Sequence, residues 1–481
     1  LKNRVEVDLE VEVSVADFFE GMSTCSLVTK ILAQMTTDAI PSISFSQQEN
    51  NTSIYPLSFA QQGLWFINQL TPNAPTYNIP IVISFKGCLN LAALQNSLNE
   101  IIRRHEVLRT SFTVVDGQPV QVINTYVPLT LAVEDLRTLK TSDSTQVAQR
   151  LATEFAQQPF DLSAQLLLRA KILQLDNKSY QLIVTLHHII ADGWSIGIFI
   201  KELAALYEAF SVGKPSPLSE LPIQYTDFLN WQQKWLNSER IQPLLAYWKQ
   251  KLHGELPVLN LPTDRPRPPV QTFKGAQAKL VLPQTLKKEL KNLSRQQGVT
   301  LFMTLLTAFK ILLYRYTGQT DILVGSPIAN RNRAEIESLI GFFVNVFVLR
   351  TNLSGNQNFL DLLACVKSTA LEAYVHQDLP FEKLVEELQP SRDLSYNPLF
   401  QVMFVLQNVP KPNLSLPDVS ISYYEGYNGT SKFDLTLFME DSEQGLVATC
   451  EYNTDLFNTD TITRMLGHFQ TLLESIVDDP E

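Results

Sequence analysis

The residues best suited to chemistry in this chain form one short string, His187-His188-Ile189-Ile190-Ala191-Asp192-Gly193. A neutral imidazole accepts a proton near pH 7, which few other side chains do without a large shift in pKa. Two adjacent histidines, then an acid and a glycine, therefore suit general acid–base work. The glycine lets a substrate or backbone approach closely. With only 6 histidines in 481 residues, such a string arises by chance on the order of once in ten thousand chains of this composition.

The flanking residues say what must hold this string. Tyr180 to Leu186 (YQLIVTL) is an apolar, β-branched run that predicts a strand. Trp194 to Phe210 has helical spacing. The motif thus lies at a strand-to-helix turn. Side chains alternate across a strand, so His187 and His188 cannot face the same way. His188 is taken as the residue facing the site and His187 as facing the core. His105, His253, His376 and His468 are taken as structural or exposed.

Composition narrows the classes. Apolar residues make up 45% and charged residues 18% of the chain, enough for a sizeable core and too few charges for a disordered chain. The net charge of -11 and the lack of a long basic run argue against nucleic acid as a partner. No apolar run is long enough to span a membrane. Cys25, Cys88, Cys365 and Cys450 lie far apart, without metal-ligand spacing. They are expected to be reduced thiols of a cytoplasmic protein, and no metal site is expected.

Residues 1–35 suggest short helices, and residues 36–54 (TTDAIPSISFSQQENNTSI) a linker. From Tyr55 onward strands and helices mix. Thr300 to Tyr316 predicts a strongly apolar helix ended by Gly318, and Phe342 to Arg350 a buried strand. Strands are also expected at Ile322 to Val324, Phe400 to Leu406, Phe433 to Phe438 and Leu446 to Tyr452. Further helices are expected at Phe359 to Tyr374 and Thr461 to Ile476. A proline-rich stretch, Pro257 to Pro269, divides the remainder into an expected 55–256 and 257–481, each of ordinary domain size.

The histidine string, followed by Trp194-Ser195, resembles the core motif of the condensation domains of nonribosomal peptide synthetases and of the wider chloramphenicol-acetyltransferase-like acyltransferases. Six more segments resemble that family's motif series, in order: Leu57 to Trp65 (LSFAQQGLW), Arg103 to Thr110 (RRHEVLRT), Tyr225 to Gln232 (YTDFLNWQ), Ile340 to Asn345 (IGFFVN), His376 to Glu382 (HQDLPFE) and Arg392 to Phe400 (RDLSYNPLF). The family usually has Arg where this chain has Gly63. Residues 1–35 resemble the second half of a carrier protein domain, without its attachment serine and with an opening somewhat closer to polyketide-type carriers. The chain begins at Leu1 and is expected to be part of something longer.

The resemblance implies an α/β (α+β) fold: two chloramphenicol-acetyltransferase-like lobes in a V-shaped pseudodimer, behind a short helical carrier fragment. It implies amide formation between a carrier-bound amine and a carrier-bound thioester in a tunnel between the lobes, and an ordinary L-acceptor condenser. No cofactor would belong to the domain itself. Phosphopantetheine would arrive on upstream and downstream carrier domains, and an adenylation domain would lie adjacent. His188, His187, Asp192 and Gly193 would form the site, supported by Ser195, Asn345, Arg331 and Arg104. Two roles stay open for His188, general base or orienting group. Two stay open for Asp192, polarising His188 or a structural salt bridge with Arg331 or, second, Arg104. A stand-alone coenzyme A acyltransferase and a non-catalytic carrier-binding module are the rival readings.

Overall fold

A computed structural model describes residues 28–29 and 54–481, except 356, 391–392, 408–414 and 417–418. Apart from residues 28–29, the segments taken as carrier fragment and linker lie outside the described residues.

Two six-stranded sheets organise the chain, each the centre of one lobe. In the first, Asn78–Gly87 and Ser179–His187 lie side by side, antiparallel, at the middle of the sheet. Ser179–His187 is buried along most of its length because both its faces are covered. Leu182, Val184 and Leu186 enter the main core of this lobe, where the helices Leu91–Arg104 and Gly193–Ser211 pack. Ile183 enters a smaller cluster under the helix Thr141–Gln157. This is the strict two-residue alternation of a strand.

The second sheet runs Asn345–Asn352, Asp321–Ile328, Val402–Gln407, Leu435–Ser442, Gly445–Asn453, Gly275–Leu282. Against it pack Leu301–Thr317, Phe359–Val375 and Thr459–Asp478. The first of these helices is apolar on most sides, as befits a helix enclosed by neighbours. Thr300 caps its start by accepting from the Met303 amide, and Gly318 (φ 69°) takes the left-handed conformation that ends it. No single described helix is long and apolar enough to cross a membrane.

The packing does not divide at residue 257. The helix Ile241–Lys251 puts Ile241, Leu245 and Trp248 into the core of the second lobe. Conversely, Val419–Glu425 pairs with Asn78–Gly87 and extends the first sheet. Ile336, Leu339, Ile340 and Phe343 also enter the first lobe's core. The chain has therefore entered the second lobe before the proline-rich stretch begins, because which core an element joins depends on the apolar face it presents.

Candidate functional site

The strand Ser179–His187 stops at His187, and His188 begins a single 3-10 turn, His188–Ile190. The turn ends the alternation, so the two histidines acquire different surroundings. His187 is 4% exposed, and its Nδ1 accepts from the Ile189 amide at 3.1 Å. An unprotonated Nδ1 is required for that bond. Burial lowers the His187 pKa to about 3, with Lys432 and Arg169 adding to the effect. His187 thus holds the turn that carries His188.

The His188 amide donates to the Tyr77 carbonyl at 2.7 Å, tying the turn to the neighbouring strand. Its ring meets Phe342 edge-on at 5.0 Å and stands 6.4 Å from the Tyr77 ring. Burial, then the positive charge of Lys432, then His187, holds its pKa well below the usual value. The imidazole is therefore neutral at physiological pH. Its Nδ1 makes no hydrogen bond to any described residue. The Lys432 ammonium lies 4.8 Å from the Tyr77 ring centre.

Asp192 is the N-cap of the helix Gly193–Ser211, its Oδ1 accepting from the Ser195 amide at 2.8 Å. The same oxygen accepts from Ser195 Oγ at 2.7 Å and from Arg331 Nη2 at 3.2 Å. Oδ2 accepts from the Phe343 amide at 3.0 Å. These bonds occupy the carboxylate, and none of them goes to His188. Of the two roles left open for Asp192, the geometry is that of the salt bridge. Both partners are almost wholly buried, with side chains 1% and 0% exposed. Arg331 also donates to the carbonyls of Ile336 and Leu339, and its guanidinium lies 4.2 Å from the Phe343 ring centre. Asn330, at φ 52°, turns the chain just before it.

Arg104, the second candidate partner for Asp192, is not brought to it. It binds Glu202 at 3.0 Å, beside His105, which binds the other oxygen of Glu202 at 2.9 Å. Ser195 supports the site twice, through Asp192 and by accepting from the Gly341 amide at 3.1 Å. Asn345 donates to the carbonyls of Gln377 and Leu379 and accepts from the Phe381 amide, so it fixes the segment leading to Glu382. Gly193 has ordinary backbone angles, and a Cβ built there meets nothing within 4 Å.

Phe342 to Val344 depart from the expected strand, which begins only at Asn345. The Phe343 amide is taken by Asp192 and the Phe342 carbonyl by Tyr225 Oη at 2.8 Å. Side-chain partners from the first lobe thus replace ladder bonds. Gly341 is needed there, because a Cβ would collide with the Tyr225 ring. This detour is what brings Phe342 to His188.

Tyr77, Phe342, Lys432 and Glu382 were not singled out from the sequence as site residues. Phe342 and Glu382 lie in the motif segments and Lys432 just before the expected strand Phe433 to Phe438, but residue type alone does not distinguish them from core or surface. Among the described residues no cluster of metal-ligating side chains occurs.

Two mixed α/β lobes joined at a histidine-bearing turn define a condensation-type fold. The chain belongs to the condensation domain family, whose pattern it matches over residues 51–481. It is 52% identical over 428 residues to a linear gramicidin synthase polypeptide of Brevibacillus parabrevis, covering 89% of this chain and 8% of that one. It is 41% identical over 443 residues to the phosphinothricin tripeptide synthetase PhsC of Streptomyces viridochromogenes, covering 92% of this chain and 41% of that one. The chain thus spans less than a tenth of the gramicidin synthase polypeptide. Its fold is similar to the X-domain from teicoplanin biosynthesis (TM-score 0.82, 26% identity, 92% of this chain and 98% of that one). It is also similar to the first condensation domain of the calcium-dependent antibiotic synthetase in complex with a substrate analogue (TM-score 0.75, 21% identity, 90% and 98%).

Proposed function

We propose that the domain forms an amide bond, with a carrier-bound amine attacking the carbonyl of a carrier-bound acyl or peptidyl thioester. The observation that carries this reading is the neutral His188 imidazole, held beside Phe342 where the second lobe reaches into the first. A thioester is already activated, so no covalent enzyme intermediate is required. Holding two tethered reactants in line supplies much of the rate, since well-oriented groups reach effective molarities of ~10^5 M or more. A neutral imidazole can accept a hydrogen bond from the attacking nitrogen and take up its proton as the C–N bond forms.

Carrier domains upstream and downstream would deliver the phosphopantetheine-bound substrates, with an adenylation domain adjacent and the synthetase in the cytoplasm. The relatives are peptide synthetases and synthases, which supports the multidomain synthetase setting. The upstream carrier would be of peptide or polyketide type, and the acceptor an L-amino acid.

The test is single-turnover amide formation with two loaded carriers. Amide formed at a rate well above the uncatalysed aminolysis supports the reading. Transfer from coenzyme A thioesters without carriers supports a stand-alone acyltransferase instead, and carrier binding without turnover a docking module.

A further inference from the structure

The carboxyl of Glu382 has no cation within salt-bridge reach among the described residues, although protein encloses it and only part of its surface stays open. It lines a cavity between the lobes together with Ser58, Phe342 and Asn345, and Phe342 is the ring that abuts His188. Its charge also acts on Tyr77 and Tyr225, the first of which flanks His188 on another side. Asn345 anchors the turn before it, so the carboxyl is held in place rather than swinging from a free loop. Across from it stands Gly63, where a Cβ would come within 3.2 Å of Glu382 Cγ. The missing side chain gives the Glu382 stem room to pack against the helix there, and puts no cation beside the carboxyl.

We propose that Glu382 is the receptor for the acceptor's amino group, binding it as an ammonium and taking its first proton. This deepens the amide-forming reading and rests on it. The sequence of bonds balances without further reagents. The ammonium gives one proton to the Glu382 carboxylate. The neutral amine forms the C–N bond to the thioester carbonyl, the C–S bond breaks, and the second nitrogen proton goes by way of His188 to the leaving thiolate. Glu382 then returns its proton to solvent.

The proton affinities suit this division of labour. Burial raises the Glu382 carboxyl to about 7, opposed weakly by its own amide. An α-amino group titrates at about 7.7 to 8. Transfer from ammonium to Glu382 is therefore nearly level, whereas transfer to His188, with a pKa well below 6.5, runs uphill. Among the charged groups of these segments, Lys432 lies against the other face of the site at Tyr77 and its charge is met by Glu451, and the following are paired elsewhere. Lys383 pairs with Glu386 and Glu387, Lys249 with Glu387, Arg350 with Asp321, and Asp378 accepts from Asn332. The helix Phe59–Leu70 carries no charged side chain.

The test pairs kinetics with binding. In Glu382→Gln, single-turnover amide formation at pH 7 should fall at least tenfold and recover above pH 8.5, where solvent deprotonates the amine. Glu382→Asp should restore part of the rate. By calorimetry, a glycyl-pantetheine amide should bind Glu382→Gln at least tenfold more weakly than the parent, while its N-acetylated form binds both alike. Gly63→Arg, which places a guanidinium against the carboxyl, should also lose the amine probe and serves if Glu382→Gln fails to fold. A Glu382→Gln protein within twofold of the parent in rate, pH profile and probe affinity overturns the proposal, as does Gly63→Arg binding the amine probe normally. A parent that forms no amide from loaded carriers defeats the amide-forming reading instead, and the binding comparison still decides whether Glu382 takes an amine.

Discussion

Arg331 Nη2 lies 3.2 Å from Asp192 Oδ1, joining residues 139 apart in sequence inside a fully enclosed pair. The bond ties the N-terminus of the helix after the histidines to the segment that leads into Phe342. It is the clamp on which the rest of the site depends.

Removing either partner should therefore destabilise the domain. Asp192→Ala leaves a buried guanidinium unpaired and frees the Ser195 and Phe343 amides, so a loss of about 3–5 kcal/mol is expected. Arg331→Ala should cost a similar amount. Denaturant unfolding measures both. An Asp192→Ala protein that unfolds like the parent but has lost catalysis would return Asp192 to a role in polarising His188.

The His188 ring packs against the edges of Phe342 and Tyr77, and its Nδ1 holds no described neighbour by a hydrogen bond. His188→Ala should keep the fold and lower single-turnover amide formation by ~10^2 to 10^4. Near-parental rates with loaded carriers would remove both the base and the orienting role.

Gly193 separates a backbone role from a steric one. Its backbone angles are ordinary and its Cβ position is open, so Gly193→Ala should melt and react like the parent. Gly193→Trp should fold yet block acylation from the donor side, where an indole would fill space beside the motif. Melting and condensation measured together decide this, and full activity in a well-folded Gly193→Trp protein would show that the donor does not pass this residue.

The histidines also predict an acid limb of stability. Both are held neutral in the folded protein, with pKa values below the ordinary 6.5. Below pH 6.5 the unfolded chain binds protons that the folded one refuses, so this contribution is whole above 6.5 and is lost as pH falls, for His187 toward about 3. The slope is about 1.4 kcal/mol per pH unit for each such group. His187→Gln, whose amide oxygen can still accept from Ile189, should flatten the decline between pH 6 and pH 4. An unchanged slope in chemical denaturation over that range would mean that His187 is protonated in the folded state.

Much of this protein is set by local pattern. The apolar run 180–186 appears as the strand Ser179–His187, and the spacing after Asp192 as the helix Gly193–Ser211, because side-chain period and caps act within a few residues. The apolar residues 301–316, with Thr300 before and Gly318 after, form Leu301–Thr317 for the same reason. The ordered motif segments carry the family in residue type alone.

Tertiary structure decided what local pattern leaves free. Phe342 to Val344 have the composition of a strand, yet Asp192 and Tyr225 take their backbone groups and bend them toward His188. Val419–Glu425 joins the other lobe's sheet, since a strand pairs with whichever edge its turns bring within reach. Asp192 had two candidate arginines in the sequence, and only folding placed Arg331 against it while giving Arg104 to Glu202. Glu382 is one more acid by residue type, whereas packing sets its side chain against Gly63 with no cation within salt-bridge reach among the described residues. Charges interact through space at a few ångströms, and that separation is fixed by packing between distant segments rather than by position along the chain.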